Sequence, residues 1–525
     1  MKINIIKNNF LLSGVICLTL FFSCQRSENE IIPDGQAVVN LKLYGLNFED
    51  DLEFSASTNP QDEEQIHIHP ISKDMYIESK LEVVTPQNNL KAGLKQNASA
   101  SLKELKKGVK YLFLVYNAAG SLVNSKEYIY KQDSDPEGVL LSSNVDYTFV
   151  IVSARSSSYL PTIDNINDLN TAKVSNTNAN LLYWKKKTKL NVGDNYLNAR
   201  LTPKFSEITT TLKMDNLMTG AITKITNPTF GPVASGVTMQ LVDGATTYGS
   251  NATAGQSVEF PTINPAAGVR TITSEATAVN QHLLNAGIFK IGTLEADGES
   301  KPLEVKGLSF KPGVRYNLIL TLKTCTQNVS DLKGLNWNYP EVIQNGQKGI
   351  IFGGSFKKNG TVISFDFLES GADYGFVYDI THLDNALNLS VNGQPILGTD
   401  VTTTEIQFQT NAALTSQNIE FADGSQYEGT NVEGGKIPAI YSMEGTSSRP
   451  LLRIVISRYG EILIYGSKKS GGELYPLRLK NGLQFNTVHW NGGTQTNSIR
   501  ATTRVEGLTV MKSTGVGKKK VPCTK

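Results

Sequence analysis

Cysteine is scarce in this chain, four residues in 525, and that scarcity excludes a disulfide framework. Histidine is nearly as thin, five residues in all. His67 and His69 alternate in Gln65-Ile66-His67-Ile68-His69 and so share one strand face, but no cysteine or further histidine lies near them in sequence. A polar strand face explains that pair better than a zinc site. An excess of one charge is missing too: 50 basic residues stand against 48 acidic ones. Nucleic acid is therefore excluded as an expected partner, because phosphate binding needs clustered basic side chains. There is no G-x-S-x-G elbow, no H-E-x-x-H and no phosphate loop. Dispersed Asp and Glu pairs do not define a glycosidase. The residues point to no enzyme, no metal and no cofactor. Helical periodicity is equally sparse, with Thr277 to Ala286 (TAVNQHLLNA) the best short helix candidate.

One short apolar run does occur, Phe10 to Phe22, behind the positive Lys2 and Lys7. It is too short to cross a bilayer at roughly 20 residues per span, and it fits a cleaved export signal over residues 1–23. The stretch Leu20-Phe21-Phe22-Ser23-Cys24 resembles a relaxed lipobox of Bacteroidetes-type lipoproteins. That resemblance implies that Cys24 becomes the acylated first residue of the mature chain. An ordinary secretory signal with an incidental cysteine is the alternative, and the abrupt switch to polar QRSENE after Cys24 favours the lipoprotein. Several acyl chains at one cysteine anchor stably, since each buried CH₂ contributes roughly 0.8 kcal/mol. Gln25 to Glu30 also resembles the acidic tag that sends such lipoproteins to the outer cell surface. The expected location is the outer membrane, surface-exposed. Removing Lys2 and Lys7 brings the mature net charge near zero. Cys325 and Cys523 are then the single internal pair, either bonded in the oxidising exterior or two independent thiols.

What the chain has in abundance is β pattern. Apolar or alternating runs recur at Ala37–Tyr44, Tyr111–Tyr116, Tyr147–Ser153, Thr209–Met214, Tyr316–Leu322, Thr361–Phe367, Leu451–Ser457 and Glu461–Tyr465, bounded by turn residues. Short strands with frequent turns indicate sandwiches or jelly rolls. Gly108-Val109-Lys110-Tyr111 and Gly313-Val314-Arg315-Tyr316 repeat one chemistry, a turn and an aromatic ahead of an apolar strand. At roughly 150 residues per domain, about three domains are expected. The boundaries read as a tether over 24–36, a first β domain over 37–199 with a polar surface loop near 156–180, and a second over 200–330. A linker at 331–349, a third β domain at 350–515 and a basic tail at 516–525 complete the chain.

Val38–Tyr44, Leu181-Leu182-Tyr183-Trp184, the junction Leu201 to Thr209 and the strand Gly313–Lys323, together with the lipobox, resemble the fimbrillin superfamily of surface lipoproteins over about residues 20–330. The resemblance implies an all-β fold of two tandem transthyretin-like β-sandwiches, with the third sandwich or jelly roll appended. It also implies assembly with other fimbrial subunits by strand exchange, in which an open sheet edge accepts an extended partner. One departure stands out: no arginine occurs between Arg26 and Arg155. Members matured by an arginine-specific protease carry one after the first strand. This chain either keeps its lipid, as an anchor or accessory subunit, or is served by another protease. The third domain looks more like a tip or adhesin arrangement than a stalk.

In that third domain Asn392-Gly393 marks a hairpin, since both turn positions need φ > 0. The cluster around it resembles C-terminal lectin-like modules of bacterial surface proteins. His489-Trp490-Asn491, followed by two glycines, is the candidate ligand surface, an aromatic platform beside a planar amide suited to host or microbial glycans. Asp379, Asp384 and Asn385 form a second polar cluster of oxygen ligands without EF-hand spacing. The competing assignment makes Trp490 core or a loop anchor and the Asp and Asn residues turn formers. The sequence thus points to a non-enzymatic adhesive lipoprotein of fimbrial type. A stand-alone glycan-capturing lipoprotein and a hydrolase with unrecognised catalytic residues are the alternatives.

Overall fold

The computed structural model describes residues 35–48, 67–84, 103–131, 138–215, 220–265, 268–384, 386–409, 417–427 and 437–523. Cys24, the signal segment and Asn385 lie outside them. The fold is all-β, with helix confined to short 3-10 turns such as Ile440–Ser442. In chain order the first strands are β1 (Gln36–Leu46), β2 (His67–Pro70), β3 (Met75–Val83), β4 (Lys110–Tyr116) and β5 (Leu122–Ile129). They continue with β6 (Val139–Ser142), β7 (Asp146–Ser153), β8 (Lys173–Thr177), β9 (Leu182–Lys189), β10 (Gly193–Pro203) and β11 (Ser206–Met214).

The first sandwich runs β5-β4-β7-β9-β10-β1-β6. β9 meets β10 only at Thr202↔Tyr183 and Pro203↔Leu182. The sheet turns over at that corner, so that Ala37, Val39, Leu197 and Leu201 face Phe113, Tyr128, Phe149 and Leu182 across one core. β7 shows why its sequence is continuously apolar rather than alternating. Tyr147, Phe149 and Ile151 point into this core, while Val150 and Val152 enter a second cluster with Leu169, Ala172, Val174 and Met239. The stretch 156–180 is therefore not merely a surface loop. It folds back over the sheet and contains β8, paired to Val237–Gln240. Its few buried apolar residues are diluted by Asn, Asp and Ser, which hid the strand.

In the second sandwich β11 lies parallel to Arg315–Thr324, from Glu207↔Arg315 to Met214↔Leu322. β3 pairs antiparallel with the other edge of Arg315–Thr324, and β2 pairs with β3. The boundary expected at 199/200 is thus crossed, because the β2–β3 hairpin belongs to the second sheet. Ile77 of β3 packs with Leu318, Leu320, Phe289 and Phe310 in its core. Alternation marks β3 as a strand but carries no information on which sheet it joins. The helix expected over Thr277–Ala286 is also replaced by strand: Thr277–Val279 pairs with β11, and Leu283 opens the strand Leu283–Ala296. Val279 and Leu283 are both buried, and their four-residue spacing imitates a helical stripe across the bend between two strands.

The third sandwich packs a sheet ordered Thr509–Lys520, Phe376–Leu383, Leu452–Ile456, Ile462–Ser467, Leu474–Leu479 and Ile419–Phe421 against one ordered Val362–Ser370, Thr496–Arg504, Ala386–Val391 and Gln394–Pro395. The Asn392-Gly393 turn has φ of 49° and 80° and joins Val391 to Gln394. Two expectations need correction here. The segment 331–349 is not a linker: Lys333–Tyr339 pairs along Thr509–Lys520, with Leu335 and Trp337 in the core. Nor is 516–525 a free tail, since the last strand runs to Lys520 and also pairs with Thr326–Asn328. Glycine and asparagine between the core positions of 333–339, and lysines on the last strand, masked both.

The second and third sandwiches are joined at several points. Cys325 and Cys523, separated by 198 residues, are linked by a disulfide with their Cα atoms 5.3 Å apart. The backbone N–H groups of Cys523 and Cys325 donate to the carbonyls of Lys73 and Asp74, in the β2–β3 turn. Lys520 Nζ lies 2.5 Å from a Glu299 carboxylate oxygen and 3.6 Å from one of Asp74. Between them sits the Asp297-Gly298 turn, which connects Leu283–Ala296 to Glu299–Phe310 with φ of 51° and 73°. Asp297 is 1% exposed. Its carboxylate accepts from Gly220 N–H at 2.9 Å, Thr324 Oγ1 at 3.0 Å and the Tyr374 hydroxyl at 2.5 Å. Burial, and then the adjacent Asp297 charge, push the Tyr374 phenol far above its ordinary pKa, so it remains a donor.

Candidate functional site

The His489-Trp490-Asn491 loop follows Val488, whose N–H donates to Gly460 O. The Trp490 indole N–H donates to Ser457 O at 2.8 Å, and its ring packs half-buried against the third core. The Asn491 amide donates to Thr496 O at 3.0 Å. Asn497 Oδ1 accepts from both Asn491 N–H and the Asn392 amide, at 2.8 Å each. His489 is exposed, but Gln394 Oε1 accepts from its N–H at 2.7 Å and lies 3.0 Å from its Nδ1. The structure brings the three residues together, and the bonds named above hold the loop. The indole bond and half-buried ring fit the competing assignment of Trp490 as a loop anchor. Asp379, from the second cluster, is held by both arms of Arg453 at 2.7 and 2.8 Å, a bidentate pair that occupies its oxygens.

The more unusual feature lies at the start of the described chain. β1 runs parallel to β10, from Ala37↔Gly193 to Leu43↔Ala199. Its other edge is covered by the four-residue β6, antiparallel from Gln36↔Ser142 to Val39↔Val139. Ala37, Val39, Leu46 and Phe48 are each no more than 1% exposed. β1 is therefore a core strand supplied by the extreme N-terminal part of the sandwich and joined to its neighbours by no hairpin. The groove it fills is edged by β10 and β6 and floored by Phe113, Phe149 and Leu182, with Leu46 N–H also donating to Lys103 O at 2.9 Å.

A third place was not singled out from the sequence. Tyr44, Asn47, Trp184, Asn198, Arg200 and Thr202 line a cleft of about 560 Å³ beside the β1–β10 seam. The signal in the sequence is the alternation of Tyr196, Asn198, Arg200 and Thr202 along one face of β10, which by itself is indistinguishable from a solvated strand face. A larger cleft of about 750 Å³ lies where Lys213, Arg270 and Thr271 of the second sandwich approach Glu420, Tyr465 and Arg478 of the third. Two of its cations are already engaged, Arg478 with Glu420 at 2.9 Å and Arg270 with the carbonyls of Asp215 and Gly220. No group of three or more His, Cys, Asp and Glu side chains suited to a metal ion occurs among the described residues.

No protein-family profile matches the chain, and no curated protein matches it. Among solved structures, it is similar to a Bacteroides fragilis protein named for cell adhesion, at 12% identity and a TM-score of 0.32, covering 56% of this chain and 99% of that one. The fimbrial anchor protein Mfa2 from Porphyromonas gingivalis is similar over 44% of this chain and 88% of its own, at 11% identity and a TM-score of 0.26. A Bacteroides thetaiotaomicron protein named for polysaccharide binding covers 48% of this chain and 90% of its own, at 10% identity and a TM-score of 0.25. At these scores the functional reading rests on the geometry.

Proposed function

We propose that this chain is a non-enzymatic surface lipoprotein, held at the outer membrane through acylated Cys24 and acting in adhesion as a fimbrial anchor, accessory or tip subunit. The observation that carries the reading is β1, a fully seated core strand with a parallel neighbour on one side and a short strand on the other. A strand inserted in this way can be exchanged for an equivalent strand of another copy, because exchange re-forms the same ladder and the same buried contacts. The tether from Cys24 to Gln36 spans at most about 40 Å when extended, so an anchored copy would hold its first sandwich close to the membrane. The braced junction between the second and third sandwiches suits a subunit that transmits load to an outer domain.

The test mixes the chain beginning at residue 47, which lacks β1 and the acylation site, with the intact soluble Cys24→Ser chain. Strand exchange yields mixed oligomers by size exclusion and native mass spectrometry. A β1-less chain that stays monomeric and melts as the intact chain does would contradict it, and would favour the stand-alone glycan-capturing lipoprotein. Cell fractionation of Cys24→Ser addresses the anchor separately: loss from the membrane fraction is expected, and normal processing with unchanged retention would overturn it.

A further inference from the structure

We infer that the cleft beside the β1–β10 seam binds an acidic sugar chain, one that carries carboxylate or sulfate groups. Its six lining residues supply what such a ligand requires. Tyr44 and the half-buried Trp184 supply aromatic surface for the apolar C–H face of a pyranose. Asn47, Asn198 and Thr202 offer donors and acceptors for hydroxyls. Arg200 offers a planar fork matched to a carboxylate or sulfate. The volume of about 560 Å³ falls within the roughly 300–1,000 Å³ of ordinary ligand clefts.

The state of these side chains distinguishes the cleft from the other candidates. In the His489-Trp490-Asn491 loop the His489 Nδ1, the Trp490 indole N–H and the Asn491 amide N–H are engaged within the loop or its supports. In the cleft, none of the six side chains has a hydrogen-bond or ion-pair partner among the described residues. Arg200 and Asn198 are exposed, and Tyr44 is 36% exposed. The Lys42 ammonium, 5.0 Å from the centre of the Tyr44 ring, adds a second cation at the rim. No carboxylate lines the cleft. In a chain whose mature charge is close to zero, cations at a cleft lined by no carboxylate draw anions. The aromatic faces and amides favour an acidic sugar over an acidic peptide or a lipid headgroup.

The site is also built by the seam. Tyr44 and Asn47 come from β1 and its exit, where Asn47 N–H donates to Leu201 O at 2.8 Å. Asn198, Arg200 and Thr202 come from β10, and Trp184 from β9. Sugar binding thus reports a seated β1, and it holds whether or not the chain exchanges that strand.

The experiment titrates the soluble Cys24→Ser chain with trigalacturonate, a heparin-derived tetrasaccharide, neutral maltotriose, a glutamate-rich peptide and phosphatidylglycerol vesicles. Binding of either acidic sugar is expected, weakening with added salt, and the better of the two identifies the acid. Arg200→Ala should weaken it at least ten-fold and Arg200→Lys should restore part, both with unchanged melting. Tyr44→Ala gives an independent variant at an exposed position. Four outcomes overturn the proposal: no binding of either acidic sugar, maltotriose bound as tightly, the peptide or vesicles bound in preference, or Arg200→Ala without effect.

Discussion

Replacing Asp297 with alanine removes one carboxylate and leaves three donors without an acceptor. Gly220 N–H, Thr324 Oγ1 and the Tyr374 hydroxyl all converge on it, and Asp297 and Tyr374 are each 1% exposed. Hydrogen bonds to a charged group contribute about 1.5–3 kcal/mol each, and a buried donor left unpaired costs about 1–3 kcal/mol. The bonds share one acceptor and water will enter the vacated space, so the costs do not add. A net loss of about 3–5 kcal/mol is expected, a large share of the roughly 5–15 kcal/mol that holds a domain. Urea denaturation of the soluble Cys24→Ser chain, followed by tyrosine and tryptophan fluorescence, measures it. Asp297→Asn keeps one acceptor oxygen but turns an amide toward the other donors, so it should fall between. Thr324→Val removes one donor and should cost less than either. A loss below about 1 kcal/mol for Asp297→Ala, with folding otherwise intact, would refute the assignment of this carboxylate as the centre of the junction.

Gly298→Ala should destabilise the same junction by about 2 kcal/mol, because the position has φ of 73° and a Cβ there would lie 2.1 Å from the Tyr459 hydroxyl. Pairing it with Tyr459→Phe in a double-mutant cycle should recover part of the loss, and strict additivity would argue against the clash. Trp490→Ala should lower third-domain stability by about 2–4 kcal/mol in the same denaturation assay, since it empties a half-buried site and removes the bond to Ser457 O. An unchanged melt would return Trp490 to the list of ligand platforms. In alkali, Tyr116 carries a testable sign: burial, and then the charge of Asp168, raise its phenol to about 12. The folded pKa exceeds the unfolded value of roughly 10, so this contribution to stability is whole below pH 10 and is lost as pH rises through about 12. The difference in tyrosinate absorbance between the intact chain and Tyr116→Phe should place this phenol's titration at about pH 12, and a titration at about pH 10 would contradict it.

Much of the fold is legible in strand chemistry. β7 reads as a buried strand because both faces meet apolar partners, and Asn392-Gly393 reads as a turn because its two residues tolerate positive φ. Sheet membership is not legible. β3 alternates like any strand, yet it crosses to the second sandwich because its partner, Arg315–Thr324, lies more than 230 residues away. The last strand was obscured by lysines at 518–520, whose charges read as solvated although Lys518 and Lys520 contact Asn328 and Glu299. At the sites, residue type pointed to His489-Trp490-Asn491, and composition alone cannot distinguish a tryptophan that anchors a loop from one that presents a face. The cleft at β1 escaped notice for the opposite reason. Its residues come from three strands, and only the parallel register of β1 on β10 brings Tyr44 close to Arg200.

The central claim is that β1 is a separable strand in a groove that recognises it. The direct measurement is complementation of the soluble chain beginning at residue 47 with a synthetic peptide of residues 36–46. The account predicts that the truncated chain melts lower or self-associates. The peptide should bind it saturably and restore the melting temperature, whereas a peptide with Val39→Asp, which places a charge where the native side chain is 1% exposed, should not. A truncated chain that is monomeric, melts like the intact protein and ignores the peptide would contradict the account.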